Sequence, residues 1–230
     1  MNRHQNKLDL IFVNANDGSS KTIFTETDEA YLDVSDNLTF LKNGKHFIWT
    51  SEKSGYNHIY LYNLKGKQLR KITKGGYDVT DFYGVDESTN TVYFASAERS
   101  PLHRDVYSVQ LNGKNKRTLN PKSGTNSATF STNYKYFINR HSSANTPYYF
   151  SLFNTKGDEI RTLKDNAQLK RNLSGYSLSQ KEFFNFKTSD GVKLNGWIMK
   201  PYNFDANKEY PLFMYVYGGP GSQKVTDAWG

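Results

Sequence analysis

The chain has 230 residues, 36% of them hydrophobic, with 17 tyrosines, 15 phenylalanines and no cysteine. Aromatics favour strands and bury large area per residue, so the composition points to a β-rich protein with an aromatic core and argues against disorder. Without cysteine there are no disulfides and no thiolate metal sites, although this does not assign a compartment.

The length suits one large β domain, or a domain and a half. No apolar run approaches membrane-spanning length, and Met1-Asn2-Arg3-His4 lacks the features that open a signal peptide. The formal charge of +8 raises a nucleic-acid partner. The basic residues, however, are spread through turns and strand faces: Lys65, Lys67, Arg70, Lys71 and Lys74, then Lys114, Lys116 and Arg117. That spacing reads as solvated outer faces of sheets, so no nucleic-acid partner is expected.

In chain order, Lys7–Val13 and Lys21–Phe24 form two strands around Gly18. Three longer units then align with one another. In the first, Thr39–Leu41 and His46–Ser51 precede His58–Gly66 and the run Gln68–Thr73. In the second, Phe82–Val85 and Thr91–Ser96 precede Asp105–Gly113 and Lys116–Leu119. In the third, Ala128–Phe130 and Lys135–Asn139 precede Tyr148–Gly157 and Glu159–Leu163. Each unit reads strand, strand, strand, glycine-containing hairpin, strand. Ile59 and Leu61 alternate with Tyr60 and Tyr62, as in a strand packed between neighbouring sheets.

Four strands per repeat of roughly 45 residues is the pattern of β-propeller blades, with a solenoid or a sandwich as the alternative. The first segment matches only the second half of a unit. About three and a half blades cannot close a ring, so residues 1–165 are expected to be the C-terminal part of a propeller from a longer protein.

The repeat ends at Leu163. Asp165 and Asn166 offer a helix cap, with Leu169 and Leu173 four residues apart, so residues 166–180 read as a connector with a short amphipathic helix. Glu182–Thr188 then alternates as a strand, Ser189-Asp190-Gly191 turns, and Val192–Met199 returns. Beyond Pro201 and a polar loop, the apolar run Leu212–Tyr217 lies between Pro211 and Gly218-Gly219-Pro220-Gly221. A short apolar run between such breakers predicts a fully buried strand delivering Tyr217 into a tight loop. Residues 181–230 would then be the N-terminal edge of a larger α/β sheet.

Three motifs carry a resemblance: Ser189-Asp-Gly-Val-Lys-Leu-Asn-Gly-Trp-Ile198, Tyr217-Gly-Gly-Pro-Gly-Ser-Gln223, and Asn2-Arg3-His4-Gln5-Asn6. With the blade pattern between them, the chain resembles the prolyl oligopeptidase family of serine peptidases, closest to its dipeptidyl peptidase IV branch. The resemblance implies an eight-bladed propeller that gates an α/β-hydrolase domain, of which this chain would hold the last blades and the first strands. It implies a serine exopeptidase that releases N-terminal dipeptides, often after proline, through an acyl-enzyme. Peptides would be the substrates, and no cofactor or metal is implied. It is also compatible with a homodimer of the longer protein, in the periplasm or outside the cell.

By the same resemblance Tyr217 donates its hydroxyl to the oxyanion hole. A phenol held at a strand end could do so without reorganising. Gly218 and Gly219 would allow close backbone approach, and Pro220 would stiffen the loop. Trp229 could be core or pocket wall. Ser222 lies outside any Gly-x-Ser-x-Gly elbow, and no such elbow occurs in the sequence. His4, His46, His58, His103 and His141 read as structural or surface residues.

The family's nucleophile, aspartate and histidine would follow Gly230, and its amine-binding glutamates would precede Met1, so this polypeptide alone is expected to be inactive. Glu26 and Glu29 do not match that pair, and no substrate-binding residue is assigned. The Asp28–Asp36 loop, where the family places an extended pocket wall, shows no clear match. Two other functions stay open at this point: a propeller-type binding module, and an endopeptidase or acylaminoacyl peptidase of the same broader family.

Overall fold

The computed structural model describes residues 1–219 and 221–230. It is built almost wholly of antiparallel strands. β1 (Lys7–Val13) and β2 (Ser20–Thr27) form a two-stranded hairpin with a bulge at Leu10/Ile11. Three four-stranded sheets come next, each in simple up-and-down order. The first contains β3 (Thr39–Phe40), β4 (His46–Ser51), β5 (His58–Asn63) and β6 (Gln68–Lys71). The second contains β7 (Val79–Asp86), β8 (Thr91–Ser96), β9 (Asp105–Gln110) and β10 (Arg117–Thr118). The third contains β11 (Thr125–Phe130), β12 (Tyr136–Ser143), β13 (Thr146–Asn154) and β14 (Glu159–Lys164). The half unit and three full units read from the sequence are therefore present, and the protein is mainly β, a partial β-propeller.

The alternation of each strand decides which neighbour each residue meets. Ile48 and Ile59 face the second blade and pack with Val79, Val92, Phe94 and Val109. Phe47, Trp49, Tyr60 and Tyr62, on the opposite face of the same strands, pack against Leu8, Leu10 and Phe24 of the hairpin. Tyr93, Val106 and Leu119 join Phe137 and Phe153 of the third blade. Each blade face is thus dry only because the next blade covers it.

Hairpin turns close this stack. Gly66 in the β5–β6 turn has φ +79°, and a Cβ there would overlap the backbone carbonyl of Ile23 in β2. Gly113 in the second blade has φ +78°, and a Cβ there would lie 3.2 Å from the Ile72 carbonyl of the first blade. Glycine is therefore needed both for the left-handed turn and for the approach of the neighbouring sheet.

Beyond the blades, α1 (Ala167–Leu173) occupies the expected place. Its cap differs in detail: Asn166 is left-handed and makes no cap bond, while Asp165 Oδ1 accepts from the Ala167 amide at 2.9 Å. None of its residues is buried, so the Leu169/Leu173 face adds nothing to a core. β15 (Lys181–Lys187) and β16 (Lys193–Met199) form the predicted hairpin in full register. The Asn145 side chain pins its start, accepting from the Lys181 amide at 2.9 Å and donating to the Lys181 carbonyl at 3.0 Å. No helix among the described residues is long and apolar enough to cross a membrane.

One expectation is overturned. Leu212–Tyr217 is neither a strand nor buried; Phe213 is 90% exposed and Leu212 78%. The local pattern is right for an inner strand, but a strand needs backbone partners on its flanks. Among the described residues β15 and β16 pair only with each other, leaving this run without one.

Candidate functional site

Tyr217 ends the exposed run and is itself 60% exposed. Its ring is backed by the Lys224 ammonium, 5.2 Å from the ring centroid. The chain turns back beneath it, with the Ser222 amide donating to the Gly219 carbonyl at 3.3 Å and Gly221 left-handed at φ +65°. A Cβ on Gly219 would lie 2.9 Å from the Tyr217 phenol oxygen, so the ring folds over this residue, and a side chain there would push the exposed ring aside. Gly218 has open space around its Cα and carries no such constraint. The stiffening expected of Pro220 falls outside the described residues.

The segment after the turn is fastened to the blades. Gln223 donates from Nε2 to the Pro101 carbonyl at 2.5 Å and accepts at Oε1 from Arg104 Nη2 at 2.6 Å. Asp227 donates its amide to the Leu102 carbonyl at 2.8 Å, and its own carbonyl accepts from Thr125 Oγ1 at 2.9 Å. Its carboxylate accepts from the Ala144 amide at 2.7 Å and lies 3.4 Å from His103 Nε2. Trp229 is half-buried and donates its amide to Ser142 Oγ at 3.2 Å, so it sits against the third blade outside the core clusters. The Tyr217 turn is thus anchored to loops of the second and third blades. Sequence reasoning placed Gln223 within a motif and read His103 as a structural or surface residue, but missed Asp227 and Arg104. These partners lie more than a hundred residues apart in Gln223–Arg104 and Asp227–Thr125, and no local pattern marks them.

The histidines divide as structural or surface groups. His4 is exposed, and His46 Nδ1 lies 3.1 Å from the Asn43 side-chain amide. His58 is fully buried between Thr73 Oγ1 at 3.0 Å and the Gly75 carbonyl at 3.1 Å. The Gly75 carbonyl can only accept, so Nε2 carries a proton; in the neutral ring Nδ1 then accepts from the Thr73 hydroxyl, whose oxygen also receives the Ile59 amide. Burial lowers its pKa and so favours the neutral ring, although the Gly75 bond acts in the opposite direction. His141 Nε2 lies 2.8 Å from the Ser123 carbonyl. Ser222 is exposed and hydrogen-bonds to no histidine among the described residues.

Where the sequence showed no match, the 28–37 loop borders a cleft of about 220 Å³ lined by Glu26, Asp33, Asp36, Glu52 and Trp49 among others. Burial, then the charges of Asp78, Asp33 and Asp28, raises the Glu52 pKa. Glu26 reaches this cleft and Glu29 does not. No residue of the cleft belongs to the Tyr217 turn.

Residues 1–148 match the family model described as "Dipeptidyl peptidase IV (DPP IV) N-terminal region". The dipeptidyl peptidase 4 of Trichophyton rubrum is 32% identical over 237 aligned residues, covering 99% of this chain and 30% of that protein. The dipeptidyl peptidase 4 of Arthroderma otae matches to the same extent, 32% identical with 99% and 30% covered. The crystal structure of Porphyromonas gingivalis dipeptidyl peptidase 4 superimposes with a TM-score of 0.94 at 43% identity, over all of this chain and 33% of that one. A putative dipeptidyl aminopeptidase IV from Bacteroides ovatus superimposes at 0.86 with 29% identity, over 99% of this chain and 35% of that one. The chain spans about a third of the length of the relatives it matches. On its blades, its motifs and these matches, the chain belongs to the dipeptidyl peptidase IV family.

Proposed function

We propose that this chain is part of a serine exopeptidase that removes N-terminal dipeptides, with preference for proline at the second position, and that Tyr217 supplies one donor of its oxyanion hole. One observation supports the site assignment: an exposed tyrosine stands at the start of a glycine turn, and the segment that follows the turn is hydrogen-bonded to the blades, which leaves the phenol free to face a substrate. In this reading residues 1–165 are propeller, 166–180 a connector, and 181–230 the edge of an α/β-hydrolase domain. The nucleophile, its histidine base and the orienting acid lie in the remainder of the longer protein.

The chemistry assigned to Tyr217 is confined to the transition state. As the nucleophile attacks the scissile carbonyl, negative charge develops on the carbonyl oxygen, and the phenol O–H donates to it. A donor already aimed at that position stabilises the alkoxide without reorganising. The hydroxyl contributes less to the ground state, so its loss acts on kcat more than on KM.

The test is hydrolysis of Gly-Pro-p-nitroanilide by the longer protein and by the 230-residue chain. The longer protein is expected to release nitroaniline and the chain alone to release none. Tyr217→Phe in the longer protein should lower kcat by about two to three orders of magnitude with little change in KM. Turnover by the chain alone, or an undiminished kcat in Tyr217→Phe, would overturn the proposal.

A further inference from the structure

The contacts beyond the Tyr217 turn form a clamp that nothing in the proposed chemistry requires. We infer that residues 223–229, with Asp227 at their centre, lock the turn to the second and third blades, and that Asp227 is a positioning residue for Tyr217. The second half of this inference rests on the peptidase reading; the first does not.

Asp227 uses four polar groups at once. Its amide, its carbonyl and both carboxylate oxygens each meet a different residue: Leu102, Thr125, Ala144 and His103. The carboxylate and the imidazole are largely shielded, with side-chain exposures of 16% and 22%. His103 Nδ1 is buried and has no hydrogen-bond partner, so the Asp227 carboxylate is the imidazole's one polar contact among the described residues. Gln223 adds a second fastening four residues earlier, on Pro101 and Arg104 of the same loop.

The ground beneath the clamp is itself braced. Arg104 donates its amide to the Gly124 carbonyl at 3.0 Å and accepts from the Asn126 amide at 2.8 Å, which joins the β8–β9 connection to the start of β11. Asn126 Nδ2 also donates to the Arg104 carbonyl, and its Oδ1 accepts from Asn139 of β12. Asn126 and Asn139 are both buried. Asn139 Oδ1 is left without a partner, but the backbone and side-chain bonds between Arg104 and Asn126 are all made, and these buried bonds restrict the junction. The clamp therefore ties the turn to a rigid seam between two blades, so the orientation of Tyr217 is set by the propeller. A displacement of about 1 Å at a reacting centre can cost two orders of magnitude in rate.

Hydrogen exchange on the 230-residue chain tests the clamp directly. In the wild-type chain, peptides covering residues 223–229 should show two slowly exchanging amides, those of Asp227 and Trp229, which are bonded. Asp227→Ala removes a charged acceptor, worth about tenfold or more in protection of that segment. Asp227→Asn keeps an acceptor for the Ala144 amide and should fall between the two. Thr125→Val, which removes one hydroxyl donor at nearly constant volume, should also loosen the segment and covers the case in which Asp227→Ala does not fold. Unchanged exchange in β4 and β8 shows that the blades are intact. Unchanged exchange at residues 223–229 in both Asp227→Ala and Thr125→Val overturns the clamp.

The positioning role is read in the longer protein. Per active site, counted by the burst of an acylating substrate, Asp227→Ala should lower kcat at least tenfold with KM nearly constant, and Asp227→Asn should recover part of it. A variant that merely misfolds would lose active sites and keep its kcat per site. An unaltered kcat per site, with exchange accelerated, overturns the positioning role. A wild-type longer protein without Gly-Pro hydrolysis overturns the peptidase reading and, with it, the role of Asp227 in catalysis, while the exchange data decide the clamp on their own.

Discussion

At the scale of single residues, the polar side chains with the most defined surroundings are not the proposed catalytic one. His58 shows this best. Its ring is wholly buried, receives the Thr73 hydroxyl proton at Nδ1 and donates to the Gly75 carbonyl. Protonating Nδ1 would place a positive charge inside a buried site, which disfavours it. Burial thus lowers its folded pKa below the ordinary histidine value of about 6.5. Below that ordinary value the unfolded chain binds a proton that the folded chain refuses, so stability falls as pH falls, until the folded group also titrates. Chemical denaturation of the chain from pH 7.5 to 5 should show this loss. His58→Gln, although less stable at neutral pH, should have a flatter profile. Parallel profiles for the two proteins would rule the assignment out.

At the scale of elements, the unit of stability is the seam between neighbouring sheets. Phe47 stacks on Tyr62 at 5.3 Å within the first blade, and Phe24 from β2 stacks on the same tyrosine at 4.9 Å. The hairpin therefore completes the aromatic layer of the next blade. Gly66 is the tightest point of this seam, where a turn meets the Ile23 carbonyl. Gly66→Ala introduces a side chain at φ +79° and a clash with a backbone atom that cannot rotate away. The left-handed conformation alone costs about 1 kcal/mol, and the clash adds to it. Gly18→Ala also sits at positive φ, +71°, but has nothing within 4 Å of its Cβ. Comparing the two by urea denaturation separates clash from conformation: Gly66→Ala should cost more, and equal losses would refute a packed seam.

At the scale of the whole molecule, the apolar residues are divided between two regimes. Blade faces that meet a neighbour bury theirs, whereas Ile11 and Val13 of β1, Ile138 of β12, Ile160 of β14, Phe183, Phe184 and Phe186 of β15, Leu194 and Ile198 of β16, and Leu212–Tyr217 are all exposed. An apolar surface of this kind is covered in a functional protein or becomes a site of association. The chain alone is accordingly expected to bind the dye ANS and to self-associate with rising concentration. Replacing Phe213 and Val216 by serine should reduce both without changing blade stability, since neither side chain belongs to a core cluster. A monomeric wild-type chain with no dye binding at micromolar concentration would contradict this. A single fact underlies both regimes: strands and sheets are stable in pairs, and a strand whose partner is missing stays open.

That fact also separates what could be read from what could not. The blades were legible because their information is local and repeated: alternation of apolar residues, a glycine at each hairpin, and the same order of strands three times over. The short helix and the β15–β16 hairpin were legible for the same reason, and the family from short motifs at both ends of the chain. Leu212–Tyr217 carries a pattern just as clear, yet the same residues stand in solvent, because strand formation depends on a neighbour that the pattern does not specify. Only the tertiary structure showed which alternate face meets which blade, why glycine is required at position 66 and not at 218, and that Asp227 meets His103, Thr125 and Ala144. The reason is one of range. Backbone conformation and periodicity are decided by residues a few positions apart, whereas the fastening of the Tyr217 turn joins groups that the chain brings together only after the blades have stacked.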